Sequence, residues 1–162
     1  LMHGFQIWVN LPAKDKMMAP RYQEIPSSES PIVEKDGIWA RVIAGECLGV
    51  TSQIDTMIPI TYIHVKMSAG SDLLQPLATG LNGMVYLFGG TAEISGKPVH
   101  DGQLAILEDG DEINISTKEG CELLILAGPE IAEPIARYGP FVMNTREEIA
   151  QAIEDYNNGT LT

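Results

Sequence analysis

Residues 103–126 read QLAILEDGDEINISTKEGCELLIL, and this stretch decides the fold class. Two runs typical of strands, Gln103 to Leu107 and Asp111 to Ser116, flank Asp109-Gly110, a dipeptide that favours a tight turn. The next segment, Cys121 to Leu126, is a continuous apolar run of the kind found in central strands buried on both faces. The stretch therefore predicts antiparallel strands, with a hairpin at Asp109-Gly110.

Similar segments recur along the chain and are separated by Gly, Pro, Asn and Asp. Phe5 to Val9, Ile38 to Ala44 and Thr61 to Met67 are further predicted strands. Residues 83–88 and 91–94 flank Gly89-Gly90, which we interpret as a second hairpin turn. Regularly spaced short strands predict an all-β fold, a sandwich or an antiparallel barrel.

One segment near the C-terminus has helical periodicity instead. Its apolar residues Ile149, Ala152, Ile153 and Tyr156 recur at the spacing of one helix face. Thr145, with Glu148 three residues later, has the pattern of a capping box, and Asn157-Asn158-Gly159 supplies a stop signal. We predict a single helix over about residues 145–157.

The composition excludes several classes of function. The 162 residues carry a formal charge of −12, of which residues 82–162 contribute −10. Affinity for a phosphate backbone depends on clustered cations, so we expect no nucleic-acid partner. The sequence contains neither an apolar run long enough to span a bilayer nor a signal peptide, so we expect a cytoplasmic protein with no membrane partner.

No residue pattern indicates catalysis or metal binding. The three histidines, His3, His64 and His100, lack the spacing that places two ligands on one face, and we interpret them as surface or hydrogen-bonded imidazoles. Cys47 and Cys121 are predicted to be reduced packing residues. The acidic residues at 108–112 lack the ligand spacing of a calcium loop and indicate a solvated hairpin tip. We therefore predict no catalytic, cofactor-binding or metal residues.

Three stretches together resemble the pirin family. They are HGFQIWVNLPAKDKMMAPRYQEI at residues 3–25, the segment from Ile38 to Gly49, and GPFVMNTREEIAQAI at residues 139–153. Pirins are bicupins, with two β-barrel cupin domains in one chain and a mononuclear iron in the N-terminal domain. Members of the family are described as quercetin 2,3-dioxygenases and, in eukaryotes, as nuclear transcription co-regulators.

The resemblance implies a domain layout for this chain. Residues 1–10 would be the last strand of an N-terminal cupin, 11–25 an interdomain connector, and 26–162 a C-terminal cupin with a jelly-roll barrel and one helix. Because the sequence begins almost directly with a predicted strand, we expect it to be a fragment of a longer protein. The family's iron ligands belong to the N-terminal domain, and none of them transfers to a position here. Where a metal-binding cupin has His-x-His, Ser71 to Pro76 contains no imidazole.

Three hypotheses of function remain open. In the first, the chain is a metal-free cupin domain that packs against an iron-bearing partner domain; the parent would be an iron-dependent dioxygenase or a nuclear co-regulator, and this chain alone would be inactive. The second is a standalone protein-interaction module, and the third is a metal-free cupin that binds a small organic molecule. We expect Phe5, Ile7, Trp8 and Val9 to form the partner interface, by pairing with the N-terminal domain or with a second copy.

Overall fold

The computed structural model describes residues 3–161 and is built mainly from strands. Over these residues it contains thirteen β-strands, one 3₁₀ turn at Ala13–Asp15 and one α-helix. The strands are β1 (Ile32–Lys35), β2 (Ile38–Ala44), β3 (Glu46–Cys47), β4 (Val50–Thr51), β5 (Thr61–Met67), β6 (Asp72–Pro76), β7 (Leu81–Ile94), β8 (Lys97–His100), β9 (Leu104–Ile106), β10 (Glu112–Ser116), β11 (Cys121–Pro129), β12 (Ala136–Tyr138) and β13 (Phe141–Met143). Helix α1 spans Arg146–Asn158. The predicted all-β class with one C-terminal helix is confirmed.

The chain divides into two compact units. The larger, residues 23–130, contains a nine-stranded antiparallel sheet in the order β1-β2-β5-β11-β7-β10-β6, with β8 and β9 also paired to β7. Strand β11 lies between β5 and β7, and Leu123, Leu124 and Ile125 in it are all buried. The predicted central strand is therefore confirmed.

The hairpin predicted at Gly89-Gly90 is wrong, because β7 runs through both glycines as a single strand of 14 residues. Before them, β7 pairs with β11 and β9; after them, it pairs with β8 and β10. Gly90 has a φ of +76°, and a Cβ at this position would overlap the carbonyl oxygen of Gly120. The glycines therefore bend one strand, so that its two halves pair with different strands of the sheet.

The hairpin predicted at Asp109-Gly110 is also wrong. Strand β9 pairs with β7, whereas β10 pairs with β6 and β7, so the turn connects strands that are not neighbours. Tight two-residue hairpins occur instead at Asp36-Gly37, Leu48-Gly49 and Ser95-Gly96, where both turn residues have positive φ. Positive φ at both positions is characteristic of the type I′ turn.

The core of the larger unit consists of inward-facing side chains from its strands. The largest fully buried ones are aliphatic, with one cysteine: Ile63, Leu73, Leu87, Ile113, Ile115, Leu123, Ile125, Val42, Val65, Val85 and Cys47. Burying each such aliphatic side chain contributes roughly 1.5–3 kcal/mol to folding before entropy is considered. This interior is filled by side chains and contains almost no polar groups.

The smaller unit contains residues 1–22 and 131–162, of which 3–22 and 131–161 are described. Helix α1 begins at the predicted capping box, because the Thr145 hydroxyl accepts from the Glu148 amide and the Glu148 carboxylate accepts from the Thr145 amide. The helix ends at Gly159, whose φ of +70° is typical of a C-terminal cap. Ile149 and Ala152 form its buried face, and Tyr156 packs edge-on against Phe141 of β13. The predicted helix is confirmed to within one residue at each end.

Among residues 3–161, no helix has the length and apolar character needed to cross a membrane.

Candidate partner-binding site

The four residues predicted to contact a partner lie exposed in the smaller unit. Trp8 is 65% exposed, Val9 47%, and Phe5 and Ile7 38% each. Residues 3–12 form no strand in this structure, so the strand predicted at Phe5 to Val9 is not observed. A β-strand is defined by backbone pairing with a neighbouring strand, and none of the described strands pairs with this segment.

The connector that follows these residues is fixed to the C-terminal part of the same unit. The ammonium group of Lys16 donates to Asn10 Oδ1 at 2.6 Å and to the carbonyl oxygen of Val142 at 3.1 Å. The backbone amide of Ala13 donates to Glu133 Oε2 at 2.7 Å. Pro12 starts the short 3₁₀ turn that places these donors, since its carbonyl oxygen accepts from the Asp15 amide.

The same network includes the start of helix α1. The side-chain amide of Asn144 donates to Glu133 Oε2 at 2.9 Å. This carboxylate oxygen therefore accepts hydrogen bonds both from the connector and from the segment that leads into helix α1. The backbone amides of Asn144 and Thr145 both donate to Glu148 Oε2. Two of the stretches that carry the pirin resemblance, one near each end of the sequence, therefore meet in one hydrogen-bonded network, which we call the latch (Asn10, Ala13, Lys16, Glu133, Val142, Asn144 and Glu148).

An apolar groove of about 550 Å³ lies beside the latch. Trp8 and Val9 line it together with Ile135, Val142 and Met143, and Lys16 and Arg137 contribute positive charge. Ile135 is 70% exposed. Exposed apolar side chains collected in a groove are typical of a protein-interaction surface.

A second cluster lies on the outer face of the larger unit's sheet, around His64. Its Nε2 lies 2.7 Å from Glu122 Oε1, and Lys66 Nζ lies 3.2 Å from the same oxygen. The rings of Trp39 and Phe88 lie 5.2 and 5.7 Å from the imidazole. The interpretation of His64 as a hydrogen-bonded imidazole agrees with this geometry, although no local sequence pattern identifies Glu122 as its partner.

Burial and pairing shift the pKa values of this cluster. Burial lowers the pKa of His64 below its usual 6.5, although the hydrogen bond to Glu122 acts to raise it. Burial alone would raise the pKa of Glu122, but the hydrogen bonds from His64 and Lys66 outweigh it and lower the pKa. At neutral pH the pair is therefore a neutral imidazole that donates to an ionised carboxylate.

Comparison with known proteins establishes the family. Residues 62–162 match the model of the pirin C-terminal cupin domain. The chain belongs to the pirin family. Mouse pirin is 38% identical over 96% of this chain, and a pirin-like protein from tomato is 37% identical over 96%. A crystal structure of quercetin 2,3-dioxygenase from Acinetobacter baumannii is 33% identical, covers 95% of this chain and has a TM-score of 0.89.

The chain spans only about half the length of these pirin-family relatives. It covers 56% of mouse pirin, 55% of the tomato protein and 55% of the Acinetobacter baumannii enzyme. The cupin fold that the resemblance implied is confirmed by both the family match and the structural match.

The side chains of this pirin cupin that could bind a metal are not grouped into a ligand set. Within residues 3–161, no three His, Cys, Asp or Glu side chains are grouped so that they could hold an ion. At the position where metal-binding cupins have His-x-His, the inward-facing residues of β6 are Leu73 and Gln75. The Gln75 amide nitrogen donates to the carbonyl oxygens of Glu46 and Pro76, so this side chain is bound to the β3–β4 hairpin. The donor set therefore does not fit the iron of the family.

The two cysteines of this pirin domain are buried and free. Burial, reinforced by the charge of Glu46, raises the pKa of Cys47 to about 11, and burial also raises the pKa of Cys121. Both therefore remain thiols at neutral pH and are poor nucleophiles, in line with a packing role.

Proposed function

We propose that this chain is the metal-free C-terminal cupin of a pirin and that it packs against an iron-bearing N-terminal cupin. The observation that carries the proposal is the segment of residues 5–9, which is apolar and exposed while the latch fixes the chain directly after it. Trp8 and Val9 keep about half or more of their surface in water and Phe5 and Ile7 more than a third, and covering this apolar surface favours a partner. A sheet that accepts residues 5–9 as its last strand would also pair their backbone groups.

In this proposal the chain has a structural role in a larger protein and catalyses no reaction itself. Iron in the N-terminal cupin would supply the Lewis-acid or redox chemistry of a quercetin 2,3-dioxygenase-like parent. The residues of this chain keep the segment 5–9 at a fixed distance from helix α1, and they shield one side of this segment from water. We expect the isolated chain to purify without stoichiometric metal and to show no quercetinase activity.

The packing is tested with a hybrid protein in which this chain replaces the matching part of the Acinetobacter baumannii enzyme. We expect scanning calorimetry to show one cooperative unfolding transition, as expected when two domains share a sheet. Two independent transitions, one of them at the melting temperature of the isolated chain, would contradict the proposal. An insoluble hybrid beside a soluble parent enzyme would also count against it.

The contribution of the apolar segment is tested in the same hybrid by comparing Trp8→Ala with Tyr22→Ala. Tyr22 is 94% exposed and lies outside the segment and the groove, so it is a matched aromatic control. We expect Trp8→Ala to lower the melting temperature of the hybrid and Tyr22→Ala to leave it unchanged.

A further inference from the structure

A cavity of about 310 Å³ lies in the larger unit, and every residue that lines it belongs to that unit. None of these residues takes part in the latch or lines the groove beside it. Ile94, Val99 and Ile113 line the inner end of the cavity, and all three side chains are buried. A mostly apolar cavity of this volume is typical of a site for a small organic molecule.

One wall of the cavity, residues 108–110, is fixed by backbone hydrogen bonds at both of its ends. The Leu107 amide donates to the carbonyl oxygen of Gly83 at 2.9 Å, and the Leu77 amide donates to the carbonyl oxygen of Asp111 at 2.8 Å. A Cβ on Gly83 would lie 2.8 Å from Leu107 Cδ1, so the glycine allows this close packing. The cavity is therefore built into the folded chain, and a ligand does not have to order its wall in order to bind.

The entrance of the cavity combines exposed apolar surface with several charges. Ile106 lines the cavity and is 78% exposed. A ligand with an apolar body would cover this surface and leave water itself, and both changes favour binding. The charged residues in the lining are one cation and three carboxylates: Lys97, Glu108, Asp109 and Glu112.

The negative charges in the lining outnumber the positive one. Lys97 Nζ lies 3.9 Å from Glu108 Oε1, so the single cation already has a partner. Within residues 3–161, neither Asp109 nor Glu112 forms an ion pair. With one positive and three negative charges, the lining carries a net charge of −2 at neutral pH. This charge repels organic anions and favours cations.

We propose that this cavity binds a small organic amine. The apolar part of the amine fills the cavity as far as Ile94 and Ile113, and its ammonium group stays at the entrance, near Asp109 and Glu112. The apolar cavity provides the site, and the two carboxylates select the charge of the ligand. The ammonium group keeps part of its hydration at this exposed position, so the selection requires little desolvation. The inference goes beyond the proposed function, since it requires neither iron nor a partner domain.

Binding is tested on this chain by NMR titration with three probes of similar shape. The probes are 2-phenylethylamine, 2-phenylethanol and 3-phenylpropanoate, which are cationic, neutral and anionic at neutral pH. We expect the amine to shift the amide resonances of Ile94, Val99 and Ile113 in a saturable way, and to bind about 3-fold or more tightly than the alcohol. The anion should bind more weakly than the alcohol. Equal affinities for amine and alcohol, tighter binding of the anion, or no saturable shift with any probe would overturn the proposal, as would shifts confined to residues 108–112.

The role of the two carboxylates is tested with a double variant, Asp109→Asn with Glu112→Gln. We expect this variant to bind the amine about 3-fold or more weakly and to bind the alcohol as the unchanged chain does. Asp72→Asn with Glu119→Gln is the matched control, because it removes the same charge from two exposed positions outside the cavity. Equal losses in the two double variants would assign the preference to the overall charge of the chain and contradict the proposed site.

Discussion

The ammonium group of Lys16 lies 3.1 Å from the carbonyl oxygen of Val142, a residue 126 positions further along the chain. The same group lies 2.6 Å from Asn10 Oδ1. One side chain thus joins the residue that follows the exposed apolar segment to the strand that precedes helix α1, and it fixes the C-terminal end of residues 5–9 within the smaller unit.

Removing this side chain should loosen the latch. We expect Lys16→Met to destabilise the smaller unit by about 1–3 kcal/mol, because two acceptors at a partly buried site lose a charged donor. Amide exchange at residues 141–143 should become faster. Lys14→Met is the matched control, since Lys14 is 81% exposed, and it should change neither quantity. Unchanged exchange in the Lys16 variant would show that the latch does not hold this strand.

The capping box makes a separate prediction about helix α1. Thr145→Ala removes the acceptor of the Glu148 amide and should cost about 1 kcal/mol of unfolding free energy, as measured in denaturant. Thr145→Ser retains the hydroxyl and should restore most of this loss. If the serine variant were as unstable as the alanine variant, the hydroxyl would not be the stabilising group.

The bend in β7 is tested by comparing two glycines of similar conformation. Gly90 and Gly102 have φ values of +76° and +78°, but a Cβ on Gly102 would have no atom within 4 Å. Gly102→Ala should therefore cost about 1–2 kcal/mol through backbone strain alone. Gly90→Ala adds an overlap with the Gly120 carbonyl and should cost clearly more, or prevent folding. Equal costs would contradict the close approach of the two backbones.

The partly buried His64 predicts how stability depends on pH. Its pKa in the folded state is below 6.5, so between that value and 6.5 the unfolded chain binds more protons than the folded chain. Unfolding free energy should therefore rise with pH across this window and level off above it. His64→Gln should flatten the rise, and His100→Gln, at an exposed position, should not. A rise that survives His64→Gln would assign the effect to another group.

The sequence predicted elements whose signals are local. The capping residues Thr145 and Glu148 lie three positions apart, and the apolar run at 121–126 needs no information about its neighbours. The strands around Gly89-Gly90 and Asp109-Gly110 were also predicted, but their pairing was not. Glycine permits both a bend and a reversal, and long-range contacts decide between them.

The site was predictable only in part. The apolar character of residues 5–9 is visible in the sequence and their side chains are exposed in the structure, whereas their role as an interface stays a prediction. The contacts of Lys16 with Val142 and of Ala13 with Glu133 join residues more than 100 positions apart, and no local pattern encodes them. The cluster of His64 and Glu122 likewise depends on strand register, which follows from the folded sheet.

The central claim is that residues 5–9 form a strand of a partner cupin's sheet, and backbone amide exchange measures this directly. We expect the amides of residues 5–9 to exchange rapidly in the isolated chain and to be protected at least about 100-fold in the hybrid with the Acinetobacter baumannii N-terminal part, as for hydrogen-bonded strands. Equal and rapid exchange in both proteins would contradict the account.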